Sequence, residues 1–220
     1  GISLLILTIL IIYFPLRNEL IKTLLENWTA TAKSNYFTYQ LFNEKSIEGA
    51  RGISSRSVIR DAIIQYKNGQ LSWDELVEFT KPKFEDGISV LDNLVLASRL
   101  VEGKELVLFN LSPDHIMDSN LSVIPNRDGQ TDVYFSHDKF HLIVYSDFQQ
   151  DGEILGTDIL IYDMTPLLKE MNKDDLQVEI IDLNMQEKTD FGMIYSATNE
   201  YQVTRDMDTV HYIQEIDPGR

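Results

Sequence analysis

The sequence predicts an α+β fold, with a long N-terminal helix and short helices packed on a mostly antiparallel five-stranded sheet. Three observations carry this. Up to Ile88 the apolar residues recur three or four apart, the spacing of one side of a helix. From Leu94 the pattern changes to short runs rich in Val, Ile, Leu and aromatics, broken by Gly-containing turns. Helical patterns come first and strand patterns follow in a block, the order of an α+β domain rather than of alternating strand–helix units.

Taken in order, "ISLLILTILIIYFPL" (Ile2 to Leu16) contains no charged residue. A membrane span needs about 20 apolar residues, so residues 1–16 read as a truncated transmembrane helix whose remainder lies upstream of Gly1. Beyond it, residues 17–52 read as one stalk helix. Leu20, Leu24 and Trp28 recur at intervals of four, and neither Gly nor Pro occurs between Leu16 and Gly49. An apolar stripe on a helix leaving a membrane, with no sheet to cover all of it, points to a homodimer through the stalk.

"SSRSVIRDAIIQYKNGQLSWDELVEFTKP" (54–82) then gives two short helices. Ile59, Ile63 and Ile64 form the apolar side of the first, and "KNG" (67–69) ends it. Ser72 and Glu75 have capping-box spacing at the start of the second. Arg56 and Arg60, four apart, share one side of the first helix; they either tether it to acids nearby or hold an anion.

The strands follow. "LVLASRLVEGKELVLFNL" is a hairpin turning at Glu102-Gly103, and "DVYFSHDKFHLIVYSDF" a second turning near His137-Asp138-Lys139. "EILGTDILIYD" is a fifth strand, and "TPLLKEM" a helix capped by Thr165 with Pro166 first inside. A further helix is expected around 113–120. "LQVEIIDL", "FGMIYSA" and "TVHYIQEI" are three more strand candidates. Residues 53–172 thus form the main module, and 173–220 either begin a membrane-proximal subdomain or add strands to the first.

The 220-residue chain is 43% hydrophobic, enough for a packed core, and contains no cysteine. Disulfide frameworks, thiolate chemistry and cysteine-ligated metals are therefore excluded. Net charge is −16, and it is concentrated at one end: residues 111–220 hold 7 Lys/Arg against 22 Asp/Glu. Such a surface repels phosphate backbones, so no nucleic-acid partner is expected.

Catalytic motifs are lacking. There is no phosphate loop, no nucleophile elbow and no dinucleotide fingerprint. In "IPNRDGQTD" a calcium loop would need ligands at Ile124 and Phe135, which have none to offer. His137 and His141 flank a turn rather than sharing a helix face, so no metal site is expected. No cofactor and no enzymatic activity are expected either.

One carboxylate does stand out. Alternation along the fifth strand puts Gly156, Asp158, Leu160 and Tyr162 on one face. A carboxylate among apolar neighbours needs a partner, which is either a ligand cation or Arg99 on the first strand. Tyr134, Tyr145 and Trp73 combine an apolar body with a polar tip, which suits either a pocket wall or ordinary packing.

The run "SRSVIRDAIIQYKNGQLSWDELVEFTKPKFEDGISVLDNLVLASRL", followed by "LIVYSDFQQDGEILGTDILIYDMTPLL", resembles the membrane-distal half of Cache-type extracytoplasmic sensor domains. These are PAS-like folds on bacterial and archaeal receptors. The resemblance covers about residues 20–172 and rests on element order more than on an invariant motif. It implies a small-molecule ligand between sheet and helical lid, a membrane-anchored signalling receptor with the sensor outside the cytoplasm, and an output module such as a histidine kinase, chemotaxis rod or nucleotide cyclase. In the amino-acid-binding branch an aspartate in the strand after a "Gly-x" step holds the ligand amine, and Asp158 in "GTDI" matches it. Of that branch's Tyr, Arg and Trp cluster "PNRDGQTDVYFS" keeps only Tyr134, so the resemblance does not extend to the class of ligand. The ligand-binding set it implies here is Asp158, Tyr134, Tyr145, Arg99 and Trp73. A structural or protein-binding module without a pocket is the alternative.

Overall fold

The computed structural model describes residues 2–112, 129–136, 139–171, 202–206 and 209–213. Side chains are described from Ile12 onward within these ranges, except for Trp28, residues 134–136 and the last two strands. The expected helix around 113–120 and the strand candidates at 176–183 and 191–197 lie outside the described residues.

The molecule is α+β. α1 (Ile2–Ser54) is a single helix of 53 residues, so the apolar segment and the stalk are one continuous element. It runs through Pro15, which lacks the N–H for one intrahelical bond. Among the described residues no helix is long and apolar enough to cross a membrane.

α2 (Ser57–Lys67) and α3 (Trp73–Ile88) form the helical pair. α2 ends at Asn68, and Gly69 takes a positive φ of 72° that few other residues adopt without strain. α3 begins with the predicted capping box: the Ser72 side chain accepts from the Glu75 backbone N–H, and the Glu75 carboxylate accepts from the Ser72 backbone N–H. The Ser72 backbone N–H and then its hydroxyl, both donating to the Glu75 carboxylate, hold that carboxyl below its usual range.

Five antiparallel strands follow in the order β2-β1-β5-β4-β3. They are β1 (Leu94–Val101), β2 (Lys104–Asn110), β3 (Thr131–Ser136), β4 (Lys139–Gln150) and β5 (Glu153–Asp163). The two-residue turns Glu102-Gly103 and Asp151-Gly152 both have positive φ at both positions, which matches the twist of the strands they join. α4 (Thr165–Met171) closes the module. Its first N–H is taken by the Asp163 carboxylate at 2.7 Å, so the acid two residues earlier acts as the cap in place of Thr165. A separate hairpin of β6 (Gln202–Asp206) and β7 (Thr209–Ile213) lies further along. Of the three late strand candidates, "TVHYIQEI" contains β7.

Helices cover one face of the sheet. Tyr39, Ala50 and Ile53 of α1, Ile59 and Ile63 of α2, and Leu76, Phe84 and Ile88 of α3 pack with Ala97, Val101, Leu142, Val144, Leu160 and Tyr162. The opposite face carries a second buried cluster of Val95, Leu96, Leu100, Ile143, Tyr145, Ile159 and Ile161. Both faces being buried explains why β1 reads as an almost unbroken apolar run rather than an alternating one.

Candidate functional site: a buried ion pair between the sheet and the long helix

At the centre of the sheet Arg99 on β1 stands directly across from Asp158 on β5. The guanidinium donates to both carboxylate oxygens, from Nε to Oδ1 and from Nη2 to Oδ2, each at 2.6 Å. Side-chain exposure is 2% for Arg99 and 0% for Asp158. A planar guanidinium matched to a carboxylate in this two-bond geometry is the strong form of an ion pair. Burial makes it indispensable, because removing either partner strands a charge away from water.

Arg99 is held by more than its partner. The rings of Phe84 on α3 and Phe148 on β4 each lie 4.8 Å from its Cζ, close enough for cation–π attraction. Its Nη2 also donates, at a longer 3.4 Å, to the carbonyl of Ile53. That carbonyl belongs to the last turn of α1, where backbone oxygens lack intrahelical partners and the helix dipole is negative. A second bond binds the same turn to the sheet: the Ser54 and Ser146 hydroxyls are hydrogen-bonded at 2.7 Å, with Ser146 the donor because the Ser54 proton goes to the Ala50 carbonyl. Ser146 stands across from Asp158 on the neighbouring strand. The end of the long helix is thus fastened to β1 and β4, the strands on either side of central β5, through Arg99 of the ion pair and Ser146 beside it.

The "GTD" stretch now has a physical reading. A β-carbon at Gly156 would lie 2.1 Å from the Leu100 carbonyl oxygen and 2.3 Å from Cζ of Phe148, so no side chain fits. The bare backbone there lets Phe148 lie across β5 and reach Arg99. Thr157 points the other way and donates to Asp147. Asp158 returns to the helical side.

Of the five residues expected around a ligand, the four with described side chains, Arg99, Asp158, Tyr145 and Trp73, do not meet in one place. Arg99 and Asp158 are bonded to each other. Tyr145 pairs with Ile159, one residue on from Asp158, and belongs to the cluster on the opposite face. Trp73 begins α3 and packs edge-on against Tyr66, with Lys104 Nζ 6.0 Å from its ring. It stands eleven residues from Phe84, about 16 Å along the helix at ~1.5 Å per residue. Tyr134 pairs with His141 in the ladder, and its side chain lies outside the described residues. A shallow groove along α1 is lined by Asn18, Ile21, Leu25, Thr29 and Lys33. From Lys33 to Ile53 is a further ~30 Å of helix, so this groove is not the space around Asp158.

Arg56 and Arg60 do not form a shared site either. Arg56 precedes α2 as its N-cap residue, and its Nη1 donates to the Lys83 carbonyl at 2.9 Å and to Asp86 at 3.4 Å. Its guanidinium lies against Gly87, within 3.3 Å of where a β-carbon would stand. Arg56 therefore ties the start of α2 to the end of α3, the tethering alternative of the two. Arg60 is half-buried on α2.

Sequence reasoning missed Phe84, Phe148, the Ile53 carbonyl and the Ser54–Ser146 bond. Gly156 was the available signal, since glycine inside a strand marks a close approach by something else. Among the described residues no group of acids and histidines is arranged to hold a metal ion. The chain matches no family model and no curated protein, so the site rests on its own geometry.

Proposed function

We propose that the module is the extracytoplasmic, small-molecule-sensing part of a membrane-anchored signalling receptor, and that α1 carries its signal. The observation supporting this is the attachment of the last turn of α1 to the centre of the sheet through Arg99 and Ser54. A change at Asp158 has a short path to a helix about 80 Å long at ~1.5 Å per residue. The resemblance of 20–172 to Cache-type sensors supports the same reading. In this mechanism a cationic ligand group competes with Arg99 for Asp158, and the freed guanidinium leaves the Ile53 carbonyl. Ligand then favours a second packing of α1 on the sheet, a population shift. Two charge-assisted hydrogen bonds at ~1.5–3 kcal/mol each match the ~5.5 kcal/mol of differential binding that reverses a 1:99 equilibrium.

The competing reading is a structural or protein-binding module. It is favoured by one observation: both oxygens of Asp158 are already occupied by Arg99. Thermal melting of the wild type and of Asp158→Ala against a small-molecule library, with native mass spectrometry of the purified chain, separates the two. Sensing predicts a compound that raises the wild-type melting temperature and not the mutant's. A mutant that melts early yet responds normally removes Asp158 from the ligand site. A chain that carries no small molecule and responds to none supports the structural module.

A further inference from the structure

Three Asn-x-Ser/Thr triplets begin at Asn27, Asn110 and Asn120. Such triplets are the acceptor signal for an N-linked oligosaccharide. Asn120 lies outside the described residues, and the fold treats the other two differently. Asn27 is inside α1, where the Thr29 N–H is committed to the carbonyl four residues back and the triplet is regular helix. Asn110 is the last residue of β2, the outer strand of the described sheet, and it is exposed. Its Oδ1 accepts from the Ser112 backbone N–H at 3.2 Å, while the Leu111 N–H donates to the Val95 carbonyl at 2.9 Å. In a straight strand, residues two apart stand ~6.6 Å from each other. The turn brings Ser112 back beside the Asn110 amide. With Oδ1 turned toward the chain, the planar amide directs Nδ2 away from it. Among the described residues nothing accepts from that nitrogen.

We propose that Asn110 is an N-glycan acceptor whose donor is an oligosaccharide carried on a lipid pyrophosphate. Nδ2 bonds to C1 of the first sugar as the bond from C1 to the pyrophosphate oxygen breaks. The lipid pyrophosphate leaves, and the amide gives up one proton. This transfer needs an accessible amide nitrogen, a hydroxyl two residues on, and a chain bent so that the two lie side by side. Asn110-Leu111-Ser112 supplies all three, and Asn27-Trp28-Thr29 lacks the bend. The surroundings suit a glycan as well. Leu108, two residues back on the same face of β2, is 46% exposed, and Leu111 is 48% exposed. A bulky hydrophilic chain on Asn110 covers both, together with a sheet edge that otherwise invites pairing with another strand. In the cell the modification rests on the extracytoplasmic reading above, because this signal is used on secreted surfaces. The competence of the acceptor does not.

The test therefore uses the purified, folded chain with a single-subunit oligosaccharyl transferase and a lipid-pyrophosphate oligosaccharide, read by intact mass and peptide mapping. A glycan should appear on Asn110 while Asn27 stays bare. Asn110→Gln and Ser112→Ala should each abolish addition at position 110. In the denatured chain, where α1 no longer holds the triplet straight, Asn27 should be modified too. A folded chain that takes no glycan at Asn110, or takes one at Asn27 in preference, would overturn the inference. Neither result bears on sensing, which the ligand screen tests on the unmodified chain.

Discussion

The ring of Phe148 lies across Gly156, with its Cζ 2.3 Å from where a β-carbon would stand. Phe148 reaches Arg99 by this route, so the glycine and the ion pair belong to one arrangement. Gly156→Ala should overpack it. The Leu100 carbonyl oxygen, 2.1 Å from the same point, is backbone in the central ladder and cannot step aside. The expected cost is ~1–3 kcal/mol, read as a lower midpoint in urea with an unchanged slope. An unchanged midpoint would contradict this, because both Phe148 and the strand backbone at Leu100 would have to give way.

The ion pair makes an asymmetric prediction. Asp158→Ala or Arg99→Met alone should each cost ~3–5 kcal/mol, because each leaves a buried charge without its partner. Arg99→Met combined with Asp158→Leu should cost much less than the sum of the two. The double-mutant cycle in denaturant melts measures this directly. Additive losses would show that the two residues contribute independently.

Tyr162 gives a pH dependence. Its phenol is buried under α1 and donates to the Ser46 carbonyl at 3.3 Å. Burial pushes its pKa upward from the ordinary 10.0. The folded state therefore holds this proton more tightly than the unfolded chain does. Its contribution is fully present below pH 10 and is lost as pH rises above that value. Tyr162→Phe should be less stable than wild type at pH 7 by ~0.5–1.5 kcal/mol. Above pH 10 the difference should close and then reverse. Parallel alkaline curves for the two proteins would contradict it.

Much of the fold was legible because local signals agreed with one another. Ser72 and Glu75 mark the start of α3, Asn68-Gly69 the end of α2, and Glu102-Gly103 a tight hairpin, each by chemistry that acts within a few residues. The site was only half legible. Alternation placed Asp158 toward the core and named Arg99 as one of two partners. Tyr145 was grouped with Asp158, yet it stands on the other face. An unbroken ladder from the Asp151-Gly152 turn would pair Asp158 with Tyr145 and Gly156 with Asp147. The register shift between Phe148 and Gln149 moves each partner by one, to Ser146 and Phe148. A shift of one residue exchanges the two faces of a strand, and nothing in "YSDFQQDG" announces it. The Arg99 bond to Ile53 was out of reach for a different reason, since it uses a backbone carbonyl, which every residue has.

The Arg99–Asp158 pair fastens the end of α1 to the sheet, and amide hydrogen exchange reads that attachment residue by residue. In Asp158→Asn the guanidinium loses its anchor, and the bond to the Ile53 carbonyl should weaken with it. Exchange at residues 50–56 should then accelerate by about ten- to a hundredfold, matching ~1.5–3 kcal/mol for a charge-assisted bond. Amides on β3 and in the first turns of α3, which do not touch the pair, should accelerate less. Equal acceleration throughout the module, or none at 50–56, would show that the pair adds only to global stability and does not hold the helix.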